Sequence, residues 1–453
     1  MTRNAAPVTP PVVLTIAGSD SGGGAGIQAD LKTIEAGGAF GTSAVTSVTA
    51  QNTTGVESTH VLPAEEIAAQ CTAVRSDFDV AAIKTGMLAT GDVIELVTDE
   101  VQDSDAPAVV DPVMVATSGD RLLEPAAEAA YEDLVAEATL VTPNADEAEV
   151  LTGIEVTDSA RAQQAAEALV EMGAEAALVK GGHVPGDDII DVLATAESIE
   201  TVRHSRVATE ATHGSGCTLS SAIATRLAHG DDLSVAVRTG IDLLARAVRY
   251  NLDVGEGPGT VHHMVALRDQ AERDPTAERV AEVVEQLVRR DVSPLVPEVG
   301  LNVVGATPYA EVPTECAAVE GRVTRTLDGV AANRGVRFGA STNVARFLLA
   351  AREYDSDLRF AVNCRLDDDI ERALEALDGP VAEYDPSDRP AEAAGQTVEW
   401  AATEAFAEDE TSPVAVAGRA AVGWEPTVVL LAPDTATLAD RTVTLLDAVT
   451  DEK

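Results

Sequence analysis

Val12-Val13-Leu14-Thr15-Ile16-Ala17-Gly18-Ser19-Asp20-Ser21-Gly22-Gly23-Gly24-Ala25-Gly26 is an apolar run that stops at a glycine-dense loop. The loop leads into a helix-like stretch, Gly26–Ala36, carrying Gln28, Asp30 and Lys32. Strand, loop and helix then recur. Further strand-like runs are Ala44–Ala50, Ala81–Lys84, Ala108–Asp111, Thr139–Thr142 and Ala176–Lys180. Between them lie helix-like stretches at Glu65–Arg75, Ala126–Ala136, Arg161–Met172 and Ser215–Leu227. Strands alternating with helices predict an α/β fold, a mostly parallel sheet covered by helices on both faces. Ligands of such sheets sit outside the carboxyl ends of the strands, where the glycine and carboxylate motifs of this chain fall.

At 453 residues the chain is long for one core, so two domains are expected. The pattern breaks after His263. Arg268–Arg290 is polar, charged and helical in pattern, and Pro294 and Pro297 close it. A boundary near 270 divides the chain into domains at 1–268 and 275–453, the second a smaller α/β domain. There, Leu301–Gly305 and Val428–Ala432 read as strands, and Asn343–Arg352 and Ile370–Leu377 as helices.

A net charge of -45, spread along the whole chain, repels nucleic acid and anionic membranes. Hydrophobic residues at 45% still allow real cores. Of 31 basic residues only Lys32, Lys84, Lys180 and Lys453 are lysines. Dispersed carboxylates, scarce lysine and few aromatics fit a halophilic protein, whose self-repulsion concentrated salt screens. Cys71, Cys217, Cys316 and Cys364 form no CxxC pair. With no membrane-length apolar stretch and no signal-peptide pattern, a soluble cytoplasmic protein is expected.

Thr212-His213-Gly214-Ser215-Gly216-Cys217-Thr218 opens a small-residue helix. A helix start offers unpaired N–H groups and partial positive charge, which bind phosphate and push a thiol pKa down. An ordinary glycine turn is the plain alternative. The first glycine loop lacks the Gly-Lys-Ser/Thr ending of a Walker loop, but lets backbone approach a ligand closely. Asp111-Pro112-Val113-Met114 ends a strand, and Thr142-Pro143-Asn144-Ala145-Asp146-Glu147 ends the next. Asn144 and Glu147, three apart at a helix start, either hold a hydrated Mg²⁺ or cap the helix. Lys180-Gly181-Gly182-His183 places a cation beside glycines, either suited to a phosphate chain or simply a turn. In this order the motifs supply a phosphate cation, carboxylates and an anion hole, the equipment of phosphoryl transfer.

Residues about 10 to 265 resemble the hydroxymethylpyrimidine/phosphomethylpyrimidine kinases of thiamine biosynthesis, members of the ribokinase superfamily. The likeness runs through Gly22–Lys32, Ala50-Gln51-Asn52-Thr53, Lys84-Thr85-Gly86-Met87-Leu88, Asp111–Met114, Lys180–His183, the cysteine motif and Gly257-Pro258…Val261-His262-His263. The resemblance implies an ATP- and Mg²⁺-dependent kinase of small molecules, acting on the pyrimidine alcohol and then on its phosphate. It implies that Gln51 reads the aminopyrimidine edge and that Asp30, Met87, Gly18, Ala25 and Val113 form the substrate pocket. Cys217 stands beside the reacting oxygen, where most relatives carry an Asp base, and Gly214 and Gly216 present N–H groups. Asp111, Asn144 and Glu147 serve the metal–ATP side, and Lys180 the phosphates. Ser215 stands where Thr is usual. A homodimer is the expected assembly, and a pyridoxal-type kinase on the same fold is the alternative.

In the second domain, Arg322, Arg325, Arg334, Arg337, Arg346 and Arg365 concentrate cations in an acidic chain. They are either a pocket for a phosphorylated ligand or surface ion pairs. Gly335–Arg346, Val362-Asn363-Cys364-Arg365 and Val422-Gly423-Trp424-Glu425-Pro426 are similar to the archaeal-type thiamine-phosphate synthase domain. That family joins the pyrimidine diphosphate to a thiazole phosphate, a job in which Arg322 or Arg337 would stabilise departing pyrophosphate. Asn343 stands where His is expected and Trp424 where Lys is usual. Asn343 cannot shuttle a proton, so the domain either catalyses through ionisation of the diphosphate or senses thiamine phosphate without turnover.

Overall fold

β-Branched and aliphatic runs too short for helices pair as strands, while the Ala/Leu-rich stretches between them cross back as helices. The computed structural model describes residues 6–114, 125–390, 397–407, 411–421, 423 and 425–451. The chain divides into two units, Met1–Leu267 and Arg268–Lys453.

The strands of the first unit are β1 (Val12–Ser19), β2 (Phe40–Asn52), β3 (Gly55–Val61), β4 (Val80–Thr85), β5 (Ala108–Val110), β6 (Leu140–Val141), β7 (Ala176–Val179), β8 (Asp188–Thr195) and β9 (Ile199–Ser205). Among the described residues they form one sheet in the order β3-β2-β1-β4-β5-β6-β7-β8-β9. From β2 through β7 every pairing is parallel. β3, β8 and β9 pair antiparallel at the two edges. The expected helix Gly26–Ala36 is present residue for residue. Apolar clusters pack on both faces: Leu14, Ile16 and Ile83 with Ile94 and Leu134 on one, Val13, Val109 and Leu178 with Leu219 and Ile223 on the other. Such double coverage explains why the parallel strands read as continuous apolar runs.

The second unit holds β10 (Val303–Ala306), β11 (Cys316–Val319), β12 (Val323–Thr326), β13 (Gly329–Ala332), β14 (Val336–Phe338), β15 (Phe360–Arg365), β16 (Val381–Tyr384), β17 (Ala415–Gly418) and β18 (Thr427–Ala432). Its main sheet runs β14-β11-β10-β15-β18-β17-β16, antiparallel except for β16–β17. The α/β expectation holds there as a mixture of elements, not as parallel pairing. The connections β10–β11 and β17–β18 are too short for a helical crossover, which leaves hairpin-type pairing, whereas β11–β14, β10–β15 and β15–β18 pair strands that are not consecutive. The charged stretch expected to be helical contains Arg273–Arg289, which buries Val280, Val283, Val284 and Leu287 in this core. The Trp424 position lies outside the described residues.

Candidate active site

A cleft of about 890 Å³ opens at the carboxyl ends of the parallel strands. Gly18 and Ser19 reach it from the end of β1, Gln51 from β2, Lys84 and Met87 from and after β4. Asp111 and Val113 follow β5, Asn144 and Glu147 follow β6, and Lys180 follows β7. Ala25 joins from the glycine loop, and Gly214, Gly216 and Cys217 from the start of the helix Ser215–Ala228. Every kinase-side residue expected at the site therefore lines this one cleft, with a single exception taken up below.

Gly214 caps that helix with φ +81°, a backbone conformation that favours glycine. A Cβ there would stand 1.9 Å from the Gly24 carbonyl oxygen, so the turn and the first glycine loop touch backbone to backbone. The Gly24 carbonyl is itself held, accepting from His263 Nε2 at 3.0 Å, while Thr260 Oγ1, 3.3 Å away, donates its hydrogen to the His213 carbonyl at 2.9 Å. A helix start has no intrahelical partners for its first N–H groups, and these face the cleft with the positive end of the dipole. A Cβ on Gly216 would lie 3.3 Å from both Asp111 Oδ2 and Lys180 Nζ, so that end of the helix meets the charged groups directly.

Lys180 Nζ donates to Asp111 Oδ1 at 3.1 Å and lies 4.0 Å from Glu147 Oε2. Burial works against its charge, but Asp111 and Glu147 outweigh it and hold the ammonium above its ordinary pKa. Glu147 is 6% exposed, and burial pushes its carboxyl up to about 7 against the pull of Lys180. Of the two readings of the Asn144/Glu147 spacing, the helix cap is present. Asn144 Oδ1 accepts from the Glu147 N–H at 2.9 Å and Glu147 Oε2 from the Asn144 N–H at 2.8 Å, a complete capping box at the cleft wall. Among the described residues, no group of three His, Cys, Asp or Glu side chains forms a protein-only metal cage.

Two expectations are corrected. Asp30 does not line the cleft. It is fully buried beneath it, its Oδ1 and Oδ2 each 2.9 Å from Lys84 Nζ, with Thr15 Oγ1 donating at 2.6 Å and Ser221 Oγ at 2.8 Å. A carboxylate so saturated has nothing left to offer a substrate. Its work is to neutralise Lys84, which burial would discharge and which Asp30 holds above its ordinary pKa. Nor is the Cys217 thiol pushed down. Burial raises it to about 11, outweighing Lys84 and the N–H of Gly26, with Asp30 and Asp111 raising it further. Low dielectric wins over the helix dipole at this position.

Sequence reading missed Asp20 and His213. The Asp20 carboxylate accepts from the N–H groups of Gly22, Gly24 and Ala25 at 2.7, 3.0 and 2.8 Å and from His213 Nε2 at 3.1 Å. One buried side chain thus shapes the glycine loop and ties it to the turn at Gly214. An Asp two residues ahead of a glycine run was a usable local signal, since Asx turns favour it. The three lysines among the described residues are also accounted for: Lys32 Nζ donates to the Gly23 carbonyl at 2.7 Å, beside the roles of Lys84 and Lys180.

In the second unit the arginines have other employment. Arg322 donates to the Val299 carbonyl, Arg325 to those of Ser293 and Val296, and Arg365 to that of Pro294. Together they strap the 293–299 segment. Arg337 pairs with Glu320 at 3.4 Å and Arg365 also pairs with Asp367. Asn343 is exposed at the first position of the helix Asn343–Arg352.

A family model described as phosphomethylpyrimidine kinase matches residues 20–262, and one described as thiamine-phosphate synthase ThiN matches residues 279–444. The hydroxymethylpyrimidine/phosphomethylpyrimidine kinase of Streptomyces coelicolor is 47% identical over 268 residues, covering 59% of this chain and 99% of the relative. The thiamine biosynthesis bifunctional protein ThiED of Geobacter sulfurreducens is 43% identical over 263 residues, covering 58% of this chain and 54% of the relative. The ADP complex of Bacillus subtilis pyridoxal kinase matches with a TM-score of 0.53 at 31% identity, covering 57% of this chain and 99% of that one. No helix of the described residues is long and apolar enough to cross a membrane.

Proposed function

This chain belongs to the phosphomethylpyrimidine kinase family, and from that premise we propose how its ribokinase-like first unit works as an ATP-dependent kinase of thiamine biosynthesis. The acceptor is 4-amino-5-hydroxymethyl-2-methylpyrimidine, phosphorylated to the monophosphate and then to the diphosphate. The observation that carries the reading is the meeting of Lys180, Asp111, Glu147 and the Gly214–Cys217 turn in one cleft at the strand ends.

Gln51, Met87, Gly18, Ala25 and Val113 hold the pyrimidine at one end. The apolar wall of Ile189, Val207, Leu244 and Val248 holds the adenine at the other. Gly214 and Gly216 aim backbone N–H groups at the transferred phosphoryl group, and Lys180 follows its charge. Two carboxylates beside a cleft suit Mg²⁺, which keeps its waters and shares phosphate oxygens. Asp111 and Glu147 would hold it, with Asn144 beside them, and it would neutralise phosphate charge. A cytoplasmic homodimer belongs to the same proposal, and sedimentation tests the dimer.

In a loose transition state the acceptor proton leaves late, so the Cys217 thiol, protonated at rest with a pKa of about 11, orients the acceptor hydroxyl, whose proton passes to an oxygen of the transferred phosphoryl group as the new O–P bond forms. The alcohol still has a proton to lose, whereas the phosphate accepting the second transfer is already an anion. Cys217→Ala is therefore expected to slow the first transfer about 10²-fold and the second much less. Equal losses, measured by separate assays on alcohol and monophosphate, refute the role. The function itself is tested by ADP release with the pyrimidine alcohol against pyridoxal. Faster turnover of pyridoxal favours the alternative kinase.

The second unit is a thiamine-phosphate synthase-type domain, and we propose that it condenses the diphosphate with thiazole phosphate. One reading competes with turnover: Asn343 cannot carry a proton, and Arg322 and Arg365 already serve backbone carbonyls. Both observations favour a sensor of thiamine phosphate. Pyrophosphate release by the full chain, given both substrates without ATP, separates the two readings.

The charge of -45 supports a halophilic protein. Its thermal midpoint is expected to climb steadily between 0.1 and 2 M NaCl as self-repulsion is screened, these concentrations spanning Debye lengths from about 10 Å to below 3 Å. A flat profile in a salt-series melt overturns that assignment.

A further inference from the structure

We propose that His213 is a specificity-determining residue which, held by Asp20 and together with Thr49, fixes which end of the Gln51 amide faces which neighbour. The inference rests on the reading above, that Gln51 meets the edge of the acceptor ring.

The backbone of Gln51 is pinned. Its N–H donates to Ser21 Oγ at 2.8 Å, and its carbonyl accepts from the same hydroxyl at 2.6 Å. Only the side-chain torsions remain free. The amide's Nε2 stands 3.4 Å from His213 Nε2, and its Oε1 stands 3.3 Å from Thr49 Oγ1.

Counting hydrogens decides what these neighbours want. Asp20 is 3% exposed and accepts three backbone N–H groups. With His213 these outweigh burial and hold the carboxyl below its ordinary range, so it has no hydrogen to give. His213 Nε2, 3.1 Å from Asp20 Oδ2, must then carry the hydrogen, whether the ring is neutral or charged. It has no lone pair for an amide N–H, and an amide oxygen at 3.4 Å is admitted as the second acceptor of the one hydrogen it shares with Asp20.

Thr49 tells the same story. Its Oγ1 gives its single hydrogen to the Ser19 carbonyl at 2.8 Å, so toward Gln51 it can only accept. Both neighbours therefore call for the amide with its oxygen toward His213 and its nitrogen toward Thr49, a half-turn about the last torsion. The two ends of an amide have the same shape, and the hydrogen-bond network alone decides between them. One N–H and one lone pair remain for the ligand, and their order along the ring edge is set.

An aminopyrimidine offers an acceptor ring nitrogen beside a donor amine. This pair matches the amide in one order and opposes it in the other. Pyridoxal carries a different sequence of groups on its edge. Fixing the amide therefore discriminates between rings of nearly equal size, which an apolar pocket does poorly.

The test measures kcat/KM for the pyrimidine alcohol and for pyridoxal, with the full chain at saturating ATP. The variants are His213→Phe, His213→Gln, Thr49→Val, Gln51→Glu, and His213→Phe combined with Gln51→Glu. The pyrimidine preference is expected to fall about tenfold in His213→Phe and Thr49→Val, the scale of one mispaired, partly buried hydrogen bond. His213→Gln, which keeps a side-chain N–H, is expected to retain most of it. Adding His213→Phe to Gln51→Glu is expected to change nothing further, because a carboxylate has no end to orient. If Gln51→Glu shifts the preference while His213→Phe and Thr49→Val lower both substrates alike, the relay is overturned and Gln51 reads the ring unaided. If Gln51→Glu leaves the preference unchanged, the reading of Gln51 falls and the relay with it. Should His213→Phe fail to fold, Thr49→Val, which removes a single hydroxyl, decides the matter alone.

Discussion

Lys84→Met is expected to destabilise the first unit by about 3–5 kcal/mol, the usual result of orphaning one partner of a buried ion pair. Lys84 and Asp30 are both fully buried, and the ammonium donates to both carboxylate oxygens at 2.9 Å. Without it the Asp30 charge keeps only the hydroxyls of Thr15 and Ser221. The carboxyl must then take up a proton or draw water into the sheet–helix interface. Replacing both residues, Lys84→Met with Asp30→Leu, removes the charge together with its partner and should recover more than half of the loss. Urea midpoints at fixed salt measure both effects. A single-variant loss below about 1 kcal/mol, the scale of an exposed pair, contradicts the buried-pair account.

Gly214→Ala should lower kcat by at least about 10²-fold, comparable to losing a principal anion-hole donor. Two costs act together. The positive φ is unfavourable for alanine by about 1–2 kcal/mol, and the new methyl would stand 1.9 Å from a carbonyl oxygen. Relief requires separating the two glycine segments, which moves the N–H groups that the proposed mechanism aims at the phosphoryl group. Gly91→Ala makes the control, since its Cβ would have no neighbour nearer than Ala127 at 4.0 Å. Wild-type kcat in Gly214→Ala, in ATP-saturated assays, removes the turn from the catalytic machinery.

The parallel core was legible because strands buried on both faces are unmixed apolar runs, and β1, β4 and β7 lie where those runs stand. The edges were not. β3 and β9 expose polar side chains along most of their length, so Gly55–Val61 and Ile199–Ser205 carry no apolar signature. In the cleft, residues announced by their own motif were legible as lining it: Lys180, Asp111, the glycine turn. Residues that act through a distant partner were misread or missed. Asp30 meets Lys84 across 54 positions and His213 meets Asp20 across 193, and nothing local announces either pairing. The thiol was misjudged for a related reason. A helix terminus is visible in sequence, but the depth at which the fold sets it is not.

The capping box at Asn144 and Glu147 has a consequence for how the cleft fails. It closes a helix of only eight residues, Ala145–Thr152, too short to persist by intrinsic propensity. The same two side chains form part of the wall beside Lys180. Fraying of that first turn and loss of the proposed nucleotide end are thus one event, which can precede melting of the sheet. Warming is then expected to erode affinity for ATP before it erodes the fold, and bound nucleotide to act as a splint for the turn.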